Sequence, residues 1–564
     1  MTKFSRIFIA LVISGISAMA QTSTIPNGWH MMDKQADGYS GVSANKAYAF
    51  LKSKNLKSNT VVVAVIDTGV DTLHEDLKSI LWNNPKEIPG NGKDDDGNGY
   101  IDDVHGWNFL GGKDGRNVKV DSDERGRVYY GLKAKWDNKE VDKSKLSKAE
   151  LYEYEMFLKA KAELKGNDPK EEDFSGIDVA ALKNLHASLL VGDSILRKAM
   201  NRDTFTGKEL DQYVTKSFAE RRAKTELLDL MKSNNMMDIS DKEFIGGLIE
   251  YIEYVEGEQR KAEAKVSAPK EYRKDIVGDD ENDFNDNKYG NSDIMAGFAM
   301  HGTHCAGIIG AARGNGKGMD GIADNVRIMM LRVVPDGDEH DKDIALAIRY
   351  AVDNGAQVIS MSFGKSYSPK KEWVDEAFAY AESKNVLLVM AAGNDNKDID
   401  VSPSFPNGNY INGGKAGNLI VVGASAEPSS GSQVASFSNY GKNSVDVFSP
   451  GSKIYSTLPG GNNYGNLSGT SMACPLVAGI AALTLEYFPT LTAKQLKYVI
   501  EKSAVKPKED VNKPGTEEKV PMSELAKSGG IVNAYEAVKL ASTLTGENQK
   551  EKLPKSTMAK PKKG

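Results

Sequence analysis

The sequence predicts an α/β fold: a doubly wound, mainly parallel sheet with helices on both faces, plus an inserted α-helical region. Three observations predict it. An unbroken aliphatic run rich in β-branched residues at 61–66 is followed by similar, mainly apolar runs at 326–334, 357–361, 386–391 and 419–422, and runs of that length mark strands buried on both faces. Helix-like stretches such as 343–354 and 372–383 lie between them, which is the alternation of a covered parallel sheet. From 133 to 268 that rhythm stops. A segment rich in Lys, Glu, Leu and Ala takes over, with helical apolar spacing as at Leu227, Leu228, Leu230 and Met231, so it reads as amphipathic helices.

At the amino end, Lys3 and Arg6 precede an apolar run over 7–16 and the small residues Ser17, Ala18, Met19 and Ala20. This is the layout of a secretory signal cut after Ala20, and the run is short for a bilayer span. The chain reads as exported, to a periplasm or outside the cell, with no membrane anchor in the mature chain. Residues 1–20 are the signal peptide, 21–57 an N-terminal segment, 58–132 the first part of the α/β domain and 133–268 the helical insertion. Residues 269–543 complete the domain. The lysine-rich stretch 544–564 has little to bury and is expected to be a basic disordered tail. The 72 basic and 78 acidic side chains leave a net charge of −6, which gives no case for nucleic acid as a partner. Two cysteines in 564 residues exclude a disulfide framework and a Cys-based zinc cluster.

Three motifs carry chemistry. Asp67-Thr68-Gly69 sits at the end of the first strand, the rim where such sheets hold their active sites. Alone, Asp-Thr-Gly also marks aspartic peptidases and ordinary turns. His301-Gly302-Thr303-His304-Cys305-Ala306-Gly307 opens a helix whose small residues permit close packing. Two histidines three apart also suggest metal, but no acidic ligand at zincin spacing follows. Gly469-Thr470-Ser471-Met472-Ala473-Cys474-Pro475 begins an apolar helix over 471–487. A serine there is commonly a helix cap, yet the free N–H groups of the first turn also suit an oxyanion.

In that order, the three motifs resemble those of the subtilisin-like serine peptidases. The resemblance extends over residues 58–110 and 277–543. It includes Ser360-Met361-Ser362-Phe363-Gly364, Ala391-Ala392-Gly393-Asn394, 435–441, Ser449-Pro450-Gly451 and 529–534. It implies Ser471 as nucleophile, His301 as general base and acid, Asp67 as the group that holds the imidazole, and Asn394 as an oxyanion donor. It also implies that an extended peptide binds along Ser362, Phe363, Gly364 and Gly393. The implied function is a secreted serine endopeptidase acting on protein or peptide substrates without an organic cofactor. An exopeptidase or narrow-specificity processing peptidase, with the insertion as a lid, is the alternative. A catalytically inactive binding protein is a third reading, against which the presence of all four residues argues. Two departures stand out. Asp67 and His301 lie 234 residues apart, and the stretch 21–58 is too short for the propeptide common in the family.

The acidic run Asp94-Asp95-Asp96-Gly97-Asn98-Gly99-Tyr100-Ile101-Asp102-Asp103 places oxygen ligands at Asp94, Asp96, Asn98, Tyr100 (by its carbonyl) and Asp102. That is a variant calcium loop, with His105 where an EF-hand has glutamate. Structural calcium is therefore expected. Residues 279–283 form a weaker acidic candidate. Asp76 and Asn315 fall where the resemblance implies another calcium site. Cys305 and Cys474 are expected to be free, packed thiols, with a bridge between them as the alternative.

Overall fold

The structure, a computed structural model, describes residues 25–548 apart from 167–173, 175 and 298. The segment read as a signal peptide and residues 549–564 of the expected tail lie outside the described residues. Seven parallel strands form the central sheet: β1 (Val61–Asp67), β2 (Gly106–Asn108), β3 (Val326–Arg332), β4 (Val358–Met361), β5 (Leu387–Ala391), β6 (Leu419–Ser425) and β7 (Val447–Pro450). Their spatial order is β2-β3-β1-β4-β5-β6-β7. The chain leaves β1 on one side, returns through β3, and crosses to β4 on the other. The cleft lies above this reversal, at the carboxyl ends of the strands, as open α/β sheets require. In register, Val63 lies opposite both Ile328 and Val358.

Alternation of side chains along β1 builds two cores. Val61, Val63 and Val65 enter one with Val326, Ile328 and Met330. Ala64 and Ile66 enter the other with Met329 and Leu331. The first core is covered by α1 (Ala44–Ser53) and by helices later in the chain, as described below. Within the region read as an insertion run α2 (Glu124–Trp136), α3 (Lys148–Lys165), α4 (Val179–Met200), α5 (Gly207–Gln212), α6 (Phe218–Ser233) and α7 (Asp241–Ala264). Its first helix thus starts at Glu124, ahead of residue 133. Helices α4 to α7 close on a small core of their own, including Leu189, Leu196, Leu227, Met231 and Ile252. Helices α2 and α3 bury Tyr129 and Phe157 against Tyr367 of the main domain.

The remaining helices are α8 (Met300–Gly310), α9 (Asp341–Asp353), α10 (Lys371–Ser383), α11 (Thr470–Tyr487), α12 (Ala493–Ser503) and α13 (Ala534–Ala541). Helices α8, α11, α12 and α13 pack with α1 on the first core, and α9 and α10 cover the second. Helix α11 is long and apolar enough to cross a membrane, but 89% of it is buried in this protein. It is a core helix. An antiparallel hairpin, β8 (Ile454–Leu458) and β9 (Asn463–Leu467), leads into it. The hairpin is tied to α8 by hydrogen bonds from Ser456 Oγ and Thr457 Oγ1 to the carbonyls of His304 and Thr303, each 2.8 Å.

Candidate active site

The sheet and two helices bring Asp67, His301, Ser471 and Asn394 to one cleft. Asp67 ends β1 and is buried. His301 is the second residue of α8, and its Nδ1 lies 2.8 Å from Asp67 Oδ1. That oxygen also accepts the Thr68 N–H at 2.7 Å. Close approach of α8 to β1 depends on the next residue, since a Cβ at Gly302 would lie 2.1 Å from the Gly69 carbonyl oxygen. Burial works against the imidazolium, yet Asp67, with Cys305 behind it, holds His301 well above the ordinary histidine value.

Ser471 is the second residue of α11, where the backbone N–H has no partner within the helix. Its Oγ donates to the Ser362 carbonyl at 3.1 Å, and both Ser471 and His301 line one hollow of the cleft. Pro475 lies one turn on and has no N–H to give the Ser471 carbonyl. Ser362 Oγ at 2.9 Å and Cys305 Sγ at 3.4 Å donate to that carbonyl instead. The helix start is thereby fixed to both walls of the cleft.

Asn394 follows β5. Its Oδ1 accepts the N–H of Thr470 at 2.8 Å and the Thr470 hydroxyl at 2.9 Å. With the acceptor occupied, the amide NH₂ is the end left for the cleft. The preceding Gly393 has φ +102°, and a Cβ there would lie 2.4 Å from Asn439 Nδ2, so only glycine fits this turn. Ser362 and Phe363 continue from β4. Gly364 makes no backbone hydrogen bond among the described residues, which leaves an edge to which an extended peptide can add.

A family profile described as the subtilase family matches residues 58–528. The chain belongs to the subtilase family. The family is one of serine-type hydrolases. This subtilase is 42% identical over 202 residues to the thermophilic serine proteinase of Bacillus sp. (strain AK1), covering 36% of this chain and 45% of that protein. It is 38% identical over 239 residues to thermitase of Thermoactinomyces vulgaris, covering 42% of this chain and 74% of thermitase. Subtilisin DY of Bacillus licheniformis is 39% identical over 201 residues, covering 35% of this chain and 67% of that protein. The chain thus spans under half the length of the first of these relatives.

Two hollows flank Ser471 in this subtilase. One, of about 390 Å³, is lined by His301, Asn394, Met300, Val334 and Leu467 among others. The other, of about 520 Å³, runs from Gly393 and Asn394 along Ser362–Tyr367 to Asp123, Arg125, Glu163 and Lys261. Those last four come from the root of α2 and from α3 and α7. The root is held by buried charges. Lys365 Nζ meets Glu124 at 2.7 Å, Asp341 at 2.9 Å and the Glu339 carbonyl at 2.5 Å. Arg127 reaches Glu124 at 2.9 Å and the Asp338 carbonyl at 2.8 Å. His340 bridges Asp121 at 3.0 Å and Glu281 at 2.5 Å.

The acidic loop is arranged differently from its sequence reading. Asp102 turns its carboxylate to the N–H groups of Gly90, Asn91 and Gly92. Asn98 spends its amide oxygen on the Tyr100 N–H and its NH₂ on Asp103. Asp94 and Asp96 also accept the N–H groups of Asn98 and Gly99, but they lie beside Glu87, with one oxygen of each of the three within 4.8 Å of the others. The second oxygen of Glu87 is buried without a partner. Hard oxygen donors gathered in this way fit calcium. Glu87 lies ahead of the acidic run, and no loop pattern pointed to it. At the other implied calcium position, both oxygens of Asp76 are taken, by Asn315 Nδ2 at 2.6 Å and the Tyr464 hydroxyl at 2.7 Å. In the 279–283 segment, Asp279 is paired with Arg273 and Lys342. Cys305 and Cys474 are both free and buried, which removes the bridged alternative.

Proposed function

We propose that this subtilase is an exported serine endopeptidase that cuts protein or peptide chains through an acyl-enzyme on Ser471. The 2.8 Å contact between His301 Nδ1 and Asp67 carries the reading, because it fixes the tautomer that leaves Nε2 free to take a proton from Ser471. Ser471 Oγ attacks the scissile carbonyl, and its proton passes to His301. The oxyanion is held by Asn394 and the Ser471 N–H. Collapse expels the amine with the proton from His301, and water repeats the sequence on the ester. Digestion of a denatured protein tests the endopeptidase reading. Internal fragments of many lengths support it, whereas stepwise release from one end would replace it with an exopeptidase.

The insertion favours a second, narrower reading within this class. Asp123, Arg125, Glu163 and Lys261 wall one end of the cleft, so flexible peptides are expected to be cut in preference to the same sequences inside folded proteins.

Replacing Asn394 by alanine is expected to lower kcat by about 10²–10³, as subtilisin does on losing one such donor, with KM nearly unchanged. Steady-state kinetics on a small ester separate the two. Calcium, if held by Glu87, Asp94 and Asp96, stabilises the fold by about 2.7 kcal/mol at a hundredfold excess over Kd. A chelator is therefore expected to lower Tm in a calorimetric scan, and Glu87→Gln to remove that sensitivity.

A further inference from the structure

The hollow that runs from Ser471 to the insertion is acidic, and one of its carboxyl groups has an oxygen without a hydrogen-bond donor. Lys365 is committed to Glu124 and Asp341, Arg125 to Asp123 at 3.4 Å, and Lys261 to Glu258 at 2.7 Å. Against these stand Glu163, which takes the Tyr367 hydroxyl, and Asp338, which takes the Glu124 N–H. Glu339 lines the same hollow, is only 4% exposed, and its Oε2 has no hydrogen-bond partner. A buried carboxyl without a donor is costly unless something supplies one.

The position of the hollow says what that something is. Ser362–Gly364 and Gly393–Asn394 line it, while His301, which serves the leaving amine, lines the other hollow. It therefore receives the acyl portion of the substrate. Its far end is walled by side chains of α2, α3 and α7. We propose that this end is a subsite for a cationic group on the acyl portion of the peptide, with Glu339 as the counter-charge. A lysine or arginine side chain and the free α-ammonium of a short peptide supply the same chemistry. The proposal rests on Ser471 being the nucleophile and adds a specificity determinant shared between the insertion and the main domain. Burial, with Asp338 beside it, pushes the Glu339 carboxyl up to about 7 against the opposing pull of Lys365 and Arg127, and an ammonium placed at its open oxygen favours the ionised form.

The test uses the intact protein and two sets of fluorogenic peptides. In one, acetyl-capped peptides carry lysine or norleucine at each acyl-side position in turn. In the other, neutral peptides of increasing length are compared with and without the cap. A cationic group at one register is expected to raise kcat/KM about tenfold or more. The lysine set identifies a side-chain ligand, and the uncapped set identifies the α-ammonium. Glu339→Gln is expected to bring that ratio close to one. Should this variant fail to fold, Glu163→Gln, on an exposed position, is expected to lower the same ratio. A ratio near one throughout, in protein that cleaves the neutral peptides, overturns the proposal, as does a ratio unchanged in folded Glu339→Gln. Failure to cleave any peptide, with no fluorophosphonate label on Ser471, overturns the catalytic reading itself and the subsite with it.

Discussion

Replacing Ser471 by alanine is expected to abolish fluorophosphonate labelling and to lower kcat by about 10⁶, the loss subtilisin shows when its nucleophile is removed. The fold should survive. Among the described residues the only bond the hydroxyl makes is to the Ser362 carbonyl at the cleft, so about 1 kcal/mol or less is lost. The helix start remains held by Thr470 on Asn394 and by Ser362 and Cys305 on the Ser471 carbonyl. Intact-mass analysis after labelling, beside a thermal scan of both proteins, separates chemistry from folding. A label retained by the variant would place the nucleophile elsewhere.

Replacing Asp67 by asparagine is expected to cost about 10⁴ in kcat, the size of loss that follows when the imidazole is held in the wrong tautomer. The pH profile should move as well. A general base acts when neutral, and Asp67 holds the His301 imidazolium well above the ordinary value despite burial. In the parent enzyme kcat/KM therefore rises with pH through a point above about 6.5. With the carboxylate gone, burial is left to act against the cation, and the acid limb moves to lower pH. The same pair affects stability with opposite sign. Its contribution is full below the ordinary histidine value and fades as pH rises through the folded one. An acid limb that stays in place in Asp67→Asn would mean that another group sets it.

What was legible in the sequence was whatever lies close together in the chain. The run Val61–Asp67 announces a central strand because every residue in it is apolar until the last, and the apolar spans at β3 to β6 do the same. The three motifs proposed to be catalytic were readable for a related reason, since each packs its polar residue, its small neighbours and a strand end or helix start into a few positions. Strand β2 was not readable. Its three residues, Gly106, Trp107 and Asn108, have no period of their own and become a strand only by pairing with Met330–Arg332. Glu87, Glu339 and the Lys365–Glu124 pair escaped notice on the same principle. Their partners sit on other elements, and burial alone turns an unremarkable charged residue into part of a site. The orienting role of Thr470 was hidden too, because its partner Asn394 arrives from another strand.

The register of β1 also sets a clock. Val61 pairs with Val326 and Val63 with Val358, and the serine arrives later still, on α11. Pairings of such long range form slowly, and at ribosomal rates on the order of tens of seconds pass between the synthesis of Asp67 and that of Ser471. For the first 234 residues of that interval the aspartate has no histidine, and throughout it the serine is missing. Until Ser471 is made, a nascent chain of this design lacks the proposed nucleophile, although most of the sheet that will position it has already been synthesised.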